Sequence, residues 1–258
     1  MSELLKNIHD GVATLTLNRP QQYNALCDSL LDEISAELDS LAADESVRVV
    51  VITGNGKAFC AGHDLKQMRA NDNHPYQHDL FSRCSAMMQK IANLPQPVIA
   101  KVQGMATAAG CQLVATCDLA VAVDTAQFAV SGVRVGLFCS TPAVALSRNI
   151  SRKRAMQLLL TGDFIDAHTA LDFGLINEVA STDQLDATVD ALAARIKDKP
   201  ARVITLGKKM FYEQLNQPLA DAYSCATDAI SGNMMMKETK EGIDAFLEKR
   251  KPDWDDYL

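Results

Sequence analysis

Two runs of small residues, each beside a buried apolar stretch, constrain the fold of this chain more than any other feature. In residues 97–112, the run Pro-Val-Ile-Ala-Lys-Val leads through a turn into Ala108, Ala109 and Gly110. Residues 57–66 contain a second such turn. An apolar run that ends at glycine and small residues is typical of a buried strand entering a turn. We expect the two turns to aim backbone N–H groups at one point, an arrangement that stabilises an oxyanion.

The bulk composition limits the classes of protein to which this chain can belong. Its 258 residues suit one large domain, or one domain with an extension. The hydrophobic content of 48% and charged content of 22% are typical of a soluble globular protein. A net charge of −7 argues against nucleic acid or an anionic membrane as the main partner. No apolar run approaches the roughly 20 residues of a membrane span, and no presequence pattern opens the chain. We therefore expect a cytoplasmic protein.

The cysteines do not form a recognisable metal or disulfide pattern. The chain has seven, an odd number, and contains no Cys-x-x-Cys pair. A zinc ribbon or a disulfide framework is therefore not expected. We expect reduced thiols that serve as small core residues, and no bound metal.

The apolar pattern predicts strands that alternate with helices. Residues 13–17 alternate as a half-buried strand, and residues 47–53, 98–102 and 119–123 read as buried strands. Helical spacing follows residue 28, with Asp28 or Ser29 expected as the N-cap. Residues 66–95 also have a helical pattern, which is interrupted at residues 71–75. This order indicates an α/β fold with right-handed crossovers.

The second half of the chain is predominantly helical in pattern. Helices are predicted over residues 155–161, 167–173 and 185–196, and long amphipathic helices over residues 202–249. The run Met234-Met235-Met236 fits either the core or a contact with a partner chain. Asp118 is expected to have a structural role, capping a turn or pairing with an arginine.

Taken together, several segments resemble the crotonase (enoyl-CoA hydratase/isomerase) superfamily. They occur in the family's order and span nearly the whole chain. The matching segments are residues 18–20, 24–26, 58–65, 97–100, 109–113, 117–118, 126–128, 161–162, 174–176 and 242–250.

The resemblance implies an α/β fold of the crotonase type. It comprises a spiral of ββα units that holds the acyl-CoA site in residues 1–200. Helices in residues 201–258 support oligomerisation and contact coenzyme A. The implied assembly is a homotrimer or a dimer of trimers. The implied substrate is a coenzyme A thioester, with no separate cofactor. The two oxyanion donors map to the backbone N–H groups of His63 and Ala109.

The resemblance also assigns residues to the substrate. Small residues near the oxyanion let the thioester oxygen approach, and Leu137, Phe138 and Cys139 lie along the acyl pocket. The coenzyme A moiety contacts a loop, a lysine and the C-terminal region. The implied substrate contacts are Arg19, Gln22, Ala25, Ala61, Gly62, Asp64, Leu65, Lys66, Met105, Ala108, Gly110, Leu137, Phe138, Cys139, Phe246 and Lys249.

The chain departs from the family at its acid–base positions. Two glutamates that hold and activate water in typical hydratases map to Gln112 and Gly132. Neither residue titrates, and general acid–base catalysis is worth about 10²–10⁴-fold per group. We expect slow hydration, with Gln112 contacting water or a substrate oxygen. Other groups that could supply the chemistry are His63, Asp64, Cys139, Ser140, Arg134 and His78.

Three functions remain open from the sequence. The first is an enzyme of acyl metabolism acting on an acyl-CoA thioester, nominally a hydratase-like lyase. Relatives with altered carboxylates also isomerise or hydrolyse thioesters. The second is a non-catalytic acyl-CoA binder or regulator. The third is an RNA-binding member, for which residues 148–154 hold the only local basic cluster, on an acidic chain.

Overall fold

Pairs of strands followed by helices wind through residues 2–254, which the computed structural model describes. The predicted ranges 1–200 and 201–258 therefore extend beyond the described residues at residue 1 and at residues 255–258. The strands are β1 (Leu4–His9), β2 (Val12–Leu17), β3 (Val49–Gly54), β4 (Ala58–Cys60), β5 (Val98–Val102), β6 (Met105–Thr107), β7 (Leu119–Val123), β8 (Gln127–Ala129), β9 (Ile165–Asp166) and β10 (Glu178–Ala180). The helices are α1 (Asp28–Ala42), α2 (Leu65–Ala70), α3 (His74–Asn93), α4 (Ala109–Thr116), α5 (Ser140–Asn149), α6 (Arg152–Thr161), α7 (Ala167–Phe173), α8 (Leu185–Lys197), α9 (Ala201–Gln214), α10 (Leu219–Met234) and α11 (Lys237–Leu247).

The strands form two sheets. The larger sheet has the order β1-β2-β3-β5-β7-β10, and the smaller has the order β4-β6-β8-β9. β3, β5 and β7 pair in parallel in the first sheet, while β4, β6 and β8 do so in the second. The pairs β3–β4, β5–β6 and β7–β8 therefore each give one strand to each sheet before a helix follows, whereas β1 and β2 both lie in the larger sheet. This arrangement confirms the predicted spiral of ββα units.

The burial of each strand explains how readily the sequence reveals it. β3 lies between β2 and β5, and its residues from Val49 to Ile52 are at most 3% exposed. A parallel strand covered on both faces is expected to be continuously apolar. β2 alternates because only one of its faces enters the core. The predicted strands over residues 98–102 and 119–123 coincide with β5 and β7.

The short strands of the smaller sheet were not predicted. β4, β6 and β8 have three residues each, too few for a period to show. Close backbone packing explains the glycines around them. A Cβ on Gly104 would lie 2.2 Å from the Lys57 carbonyl oxygen, and one on Gly110 would lie 2.0 Å from that of Cys60. These glycines therefore let β6 and α4 approach the β4 segment.

The predicted N-cap of the first helix is wrong. α1 begins at Asp28, and its N-cap is the extended residue Cys27, whose side chain does not cap the helix. The Asp28 carboxylate instead accepts hydrogen bonds from the Tyr76 hydroxyl and the Arg83 guanidinium. The Asp28 carboxylate, which the local pattern assigned to capping, therefore bonds to side chains of α3 instead.

The predicted interruption between residues 66 and 95 is confirmed. α2 ends at Ala70 and α3 starts at His74. Asn73 caps α3, since its side-chain oxygen accepts a hydrogen bond from the Tyr76 N–H at 3.0 Å. The break thus separates two helices, α2 and α3.

A partly buried ionic cluster fastens α9 to the sheet. The Lys208 Nζ atom lies 2.6 Å from Asp118 Oδ2, and the Tyr212 hydroxyl donates to Asp118 Oδ1 at 2.8 Å. Asp118 also accepts a hydrogen bond from the Val98 N–H at 2.7 Å. Asp118 is therefore structural as expected, but its cationic partner is a lysine rather than an arginine.

The C-terminal helices leave much apolar surface open. The predicted amphipathic region is confirmed as α9, α10 and α11, and Met234 and Met235 are exposed, so they do not fill the core of one chain. Among the described helices, none combines the length and apolar character needed to cross a membrane. Exposed apolar side chains in this region include Phe211, Leu215, Leu219, Tyr223, Ile230, Met235, Phe246 and Leu247.

Candidate functional site

Gly62 brings the two predicted turns into contact. Its φ of +90° lies in the region that favours glycine, and it is buried. A Cβ at this position would lie 2.8 Å from the Ala108 Cβ and 3.2 Å from the Ala109 backbone nitrogen. Glycine therefore permits the turn after β4 to pack directly against the start of α4.

Ala108 holds a strained backbone conformation at this contact. Its φ of 49° and ψ of −118° lie outside the regions that alanine ordinarily occupies. Such residues cost about 1–3 kcal/mol and cluster at functional sites. The Ala108 N–H donates to the Ala129 carbonyl at 2.9 Å, which anchors the residue to β8. The strain sets the direction in which α4 begins.

The N–H groups of His63 and Ala109 are both free within the described residues. Leu26 pairs with His63 as a parallel bridge through the Gly62 carbonyl and the Asp64 N–H. The N–H of His63 itself therefore points away from Leu26. Ala109 opens α4, where an N–H has no intrahelical partner. Two free donors thus flank the contact between the two turns.

The His63 side chain is an uncharged imidazole. Its ring lies edge-on to Phe81 of α3, with ring centroids 5.1 Å apart and planes at 78°. Burial lowers the pKa of His63 to about 4, so the ring is neutral at pH 7. Its Nε2 atom is buried and has no hydrogen-bond partner among the described residues.

Gln112 is a second uncharged polar side chain without a partner. It lies on α4 three residues after Ala109 and is 4% exposed. Residues three apart on a helix share a face. The Gln112 Oε1 atom is buried and unpartnered, although buried amides in folded proteins nearly always have a partner. Gln112 is therefore placed to contact a molecule bound beside the Ala109 N–H.

Gly132 leaves no room for a longer side chain. A Cβ there would lie 2.7 Å from the Cys139 Sγ and 2.5 Å from the Leu137 carbonyl oxygen. The Gly132 N–H points to the same Sγ at 3.3 Å. Burial raises the pKa of the Cys139 thiol, against the effect of that N–H. A protonated thiol therefore occupies the space where a longer side chain would begin.

The other predicted residues of the acyl pocket are open to solvent. Leu137 is 46% exposed and Phe138 is 51% exposed, on the segment before α5. Their place along the acyl pocket stays a prediction. Met105 begins β6 and is half-buried beside the turn.

Arg19 uses its guanidinium within the chain. Its Nε atom lies 3.0 Å from Glu3, its Nη2 atom lies 3.1 Å from Asp64, and its Nη1 atom donates to the Ala25 carbonyl. The side chain is only 14% exposed. Arg19 therefore shapes the loop over residues 19–25, which carries the exposed Gln22 at its rim.

Asp64 is the N-cap of α2. Its carboxylate accepts hydrogen bonds from the backbone N–H groups of Lys66 and Gln67. Burial acts to raise the pKa of Asp64, but the Gln67 N–H and the Arg19 guanidinium outweigh it, so the pKa is lowered. Asp64 is ionised and committed to the fold, which leaves it poorly suited to accept a proton.

Several candidates lie away from the two turns or at their edge. Leu65 and Lys66 are exposed at the start of α2, and Ala61 bonds to Thr107 and Tyr23. Phe246 is 82% exposed on α11, and Lys249 follows that helix. No hydrogen bond or ion pair of the described residues joins Phe246 or Lys249 to the turns.

The alternative sources of acid–base chemistry are engaged elsewhere. Arg134 pairs with Asp163, the Ser140 hydroxyl donates to the Phe138 carbonyl, and His78 stacks on His74. No hydrogen bond, ion pair or ring contact of the described residues joins Arg134, Ser140 or His78 to Gln112.

The surroundings of the two turns also include buried thiols and Phe81, an aromatic residue that the sequence did not reveal. Burial raises the pKa of both Cys60 and Cys111 to about 12, and all seven cysteines are free. The described residues contain no cluster of three or more metal-ligating side chains. Phe81, which packs on His63, was not predicted, because its contact depends on how α3 crosses the turn.

This ββα spiral, with two free N–H groups at joined turns, defines the crotonase class of fold. The enoyl-CoA hydratase/isomerase family model matches residues 7–257, and the chain belongs to that family. It is 44% identical over 245 residues to rat (Rattus norvegicus) "Enoyl-CoA hydratase domain-containing protein 3, mitochondrial", covering 95% of this chain and 82% of the relative.

Solved structures agree with this assignment. An enoyl-CoA hydratase from Mycobacterium smegmatis matches with a TM-score of 0.97 and 51% identity, covering 98% of this chain and 99% of the other. The human enoyl-CoA hydratase domain-containing protein 3 matches with a TM-score of 0.95 and 41% identity, covering 98% and 100%. Because the rat relative is named mitochondrial, the predicted cytoplasmic location is not confirmed.

Proposed function

We propose that this protein binds an acyl-CoA thioester and stabilises negative charge on its carbonyl oxygen. The donors are the backbone N–H groups of His63 and Ala109. The observation that carries the proposal is their juxtaposition, with Gly62 packed against Ala109 and Ala108 held in a strained conformation. A backbone donor is independent of side-chain identity, so histidine and alanine at these positions retain the function.

The proposed chemistry excludes efficient two-carboxylate hydration. An oxyanion hole polarises the thioester carbonyl and favours an enolate, but water addition also needs a group that moves protons. Gln112 is an amide, and the backbone and thiol around position 132 leave no space for an acid. Each missing acid–base group removes about 10²–10⁴-fold of rate. The proposed activity is therefore a family reaction, nominally lyase-like, that requires enolate stabilisation more than water activation.

Other contacts of the thioester belong to the same proposal. The exposed ammonium of Lys66 lies beside the turn and suits a phosphate of coenzyme A. Phe246 and Lys249 offer an aromatic ring and a cation for the adenine nucleotide portion. The exposed apolar faces of α9, α10 and α11 support a homotrimer or a dimer of trimers.

A non-catalytic acyl-CoA binder is the second candidate. It is favoured by the combination of a neutral His63, an amide at Gln112 and a crowded Gly132. This candidate shares the binding step with the first and differs only in turnover.

Calorimetry with coenzyme A ligands tests the shared binding step. We expect acetyl-CoA to bind more tightly than ethyl-CoA, a thioether that lacks the carbonyl oxygen. Ala109→Pro removes one N–H at the first helical position, where proline is tolerated, and should abolish that preference. Arg152→Pro makes the same change at the start of α6 and should preserve it. Equal binding of the thioester and the thioether would contradict the oxyanion hole.

Turnover separates the two candidates. Loss of the conjugated-thioester absorbance of crotonyl-CoA reports hydration, and we expect it to be slow. Turnover comparable with a two-glutamate hydratase would contradict the proposal. Binding without turnover of any acyl-CoA would favour the non-catalytic binder.

A further inference from the structure

Two histidines share one face at the start of α3. His74 begins the helix and His78 follows one turn later, and residues at i and i+4 are neighbours on a helix surface. Their imidazole ring centroids are 6.1 Å apart, with planes at 26°. Both residues are exposed, and no ion pair of the described residues uses either ring. Two imidazoles therefore lie together with ring nitrogens available to a ligand.

The separation of the two rings suits one shared metal ion. A metal–imidazole bond is about 2.0–2.1 Å long, so two rings on one ion have centroids about 4.5–6.5 Å apart, depending on the angle between the bonds. The observed 6.1 Å lies within this range. Exposed side chains change rotamer rapidly, so either ring can adjust to the angle that the ion requires. Pairs of histidines with this spacing bind zinc in helical metal sites.

An open cavity beside the pair offers hydrogen-bond partners for the other ligands of such an ion. It has a volume of about 440 Å³ and is lined by His74, Gln77, His78, Phe81, Ser82 and Ser85. The Gln77 Oε1 atom is buried and has no hydrogen-bond partner among the described residues. The Ser82 Oγ atom lies 3.5 Å from His78 Nδ1. Water molecules on a metal ion donate hydrogen bonds, which the amide oxygen and the hydroxyl can accept.

The charges around the two histidines determine the class of ion. The Asp72 carboxylate pairs with Arg69. The Asp79 carboxylate pairs with Arg83. The partial positive charge at the N-terminal end of α3 also opposes a cation. Magnesium and calcium need oxygen ligands, so they are not favoured here. Zinc, nickel and copper ions bind the imidazole nitrogen itself and can do so without a free carboxylate.

We propose that His74 and His78 bind one divalent transition-metal ion, of the zinc, nickel and copper class, through one nitrogen of each ring. Water molecules complete the coordination, and the ion joins two turns of α3. A site with two protein ligands agrees with the lack of a three-ligand cluster among the described residues. Phe81 lines the cavity and also contacts His63, but the ion takes no part in the proposed reaction. The site therefore stands or fails independently of acyl-CoA binding.

Calorimetry with Ni²⁺ tests the site on the full chain without an added histidine tag. We expect Ni²⁺ to bind with one-to-one stoichiometry and Zn²⁺ to compete with it, while Mg²⁺ does neither. His74→Gln and His78→Gln should each weaken Ni²⁺ binding at least about tenfold, since even the loss of an outer-shell partner costs about 10–100-fold. Ni²⁺ should also raise the thermal unfolding temperature of the wild type, but not that of either variant.

Two controls distinguish a shared site from binding by single histidines. His168→Gln removes an exposed histidine of α7 and should leave Ni²⁺ binding unchanged. The double variant His74→Gln with Gln89→His keeps the number of histidines, because Gln89 is an exposed residue of α3. Its histidines at positions 78 and 89 lie about 16 Å apart along the helix. The double variant should therefore bind Ni²⁺ as weakly as His74→Gln does.

Several results would overturn the proposal. They are no binding of Ni²⁺, binding that survives both single substitutions, wild-type affinity in the double variant, or equal affinity for Mg²⁺. Circular dichroism of each variant reports its helical content, so lost binding is distinguished from a lost fold. Acetyl-CoA binding measured in the same samples is expected to be unaffected by Ni²⁺ site substitutions, which separates this proposal from the proposed function.

Discussion

Two groups of polar side chains in this protein differ in how completely their hydrogen bonds are satisfied. In the cluster around Asp118, the Lys208 ammonium reaches Asp118 and the carbonyls of Ile91 and Gln96. At the two turns, by contrast, the buried His63 Nε2 and Gln112 Oε1 atoms have no hydrogen-bond partner among the described residues. The first group is complete within one chain, and the second keeps hydrogen-bonding capacity for a bound molecule.

The difference separates structural from functional use of polar residues. A closed network holds α9 against β5 and β7, and removing a member leaves a charge uncompensated. Buried polar atoms without partners lower the stability of the folded chain, and a ligand that supplies the missing hydrogen bonds restores it. We therefore expect the Asp118 cluster to hold the fold, and His63 and Gln112 to be available to a ligand.

Breaking the closed cluster should have the largest effect on stability. Lys208→Met leaves the carboxylate of Asp118 buried without its cation and should lower the free energy of unfolding by about 3–5 kcal/mol. Lys199→Met, which removes an exposed ion pair with Asp198, should change it by less than about 1 kcal/mol. Urea unfolding measures both variants. Similar losses of unfolding free energy in the two variants would show that the Asp118 ion pair stabilises the fold no more than an exposed ion pair does.

Filling the space at Gly132 should have the second-largest effect on stability. Gly132→Glu forces a side chain against Cys139 and the Leu137 carbonyl, and should cost about 1–3 kcal/mol of stability. Adding Cys139→Gly should recover part of that cost. Gly207→Glu introduces the same residue into open space on α9 and should be tolerated. Thermal unfolding tests the series, and a stable Gly132→Glu protein would disprove the crowding.

Acid should destabilise the fold through His63. Its pKa is about 4 when folded and near 6.5 when unfolded, so the unfolded chain binds more protons between these values. Stability from the neutral ring is present above pH 6.5 and is lost as the pH falls toward 4. The slope is at most about 1.4 kcal/mol per pH unit. Unfolding of wild type and His63→Ala across this window isolates the contribution, and parallel curves would refute it.

Removing the unpartnered amide of Gln112 should have the smallest effect on stability. Gln112→Leu deletes an unsatisfied polar group and should be neutral or stabilising by up to about 1 kcal/mol. Gln96→Leu offers a buried contrast, because the Gln96 amide donates to the Leu41 and Asp44 carbonyls. That change should destabilise by about 1–3 kcal/mol. If Gln112→Leu is as damaging as Gln96→Leu, the Gln112 amide has a structural partner.

Continuous apolar runs made the central strands predictable. β5 and β7 were predicted at their observed bounds because strands buried on both faces carry a long apolar signal. β4, β6 and β8 are defined by pairing between distant segments and have no such signal. The wrong N-cap at Asp28 has the same origin, since its carboxylate bonds to residues far along the chain.

The sequence by itself determined the order of the ββα units and the chemistry of positions 112 and 132. No folding can turn an amide or a glycine into an acid. Only the tertiary structure decided how those positions are used. It packed Gly62 against Ala109, placed the Cys139 thiol beside Gly132 and packed the His63 ring against Phe81. The reason is physical: pKa, hydrogen-bond satisfaction and free space depend on neighbours, and these neighbours come from separate turns of the chain.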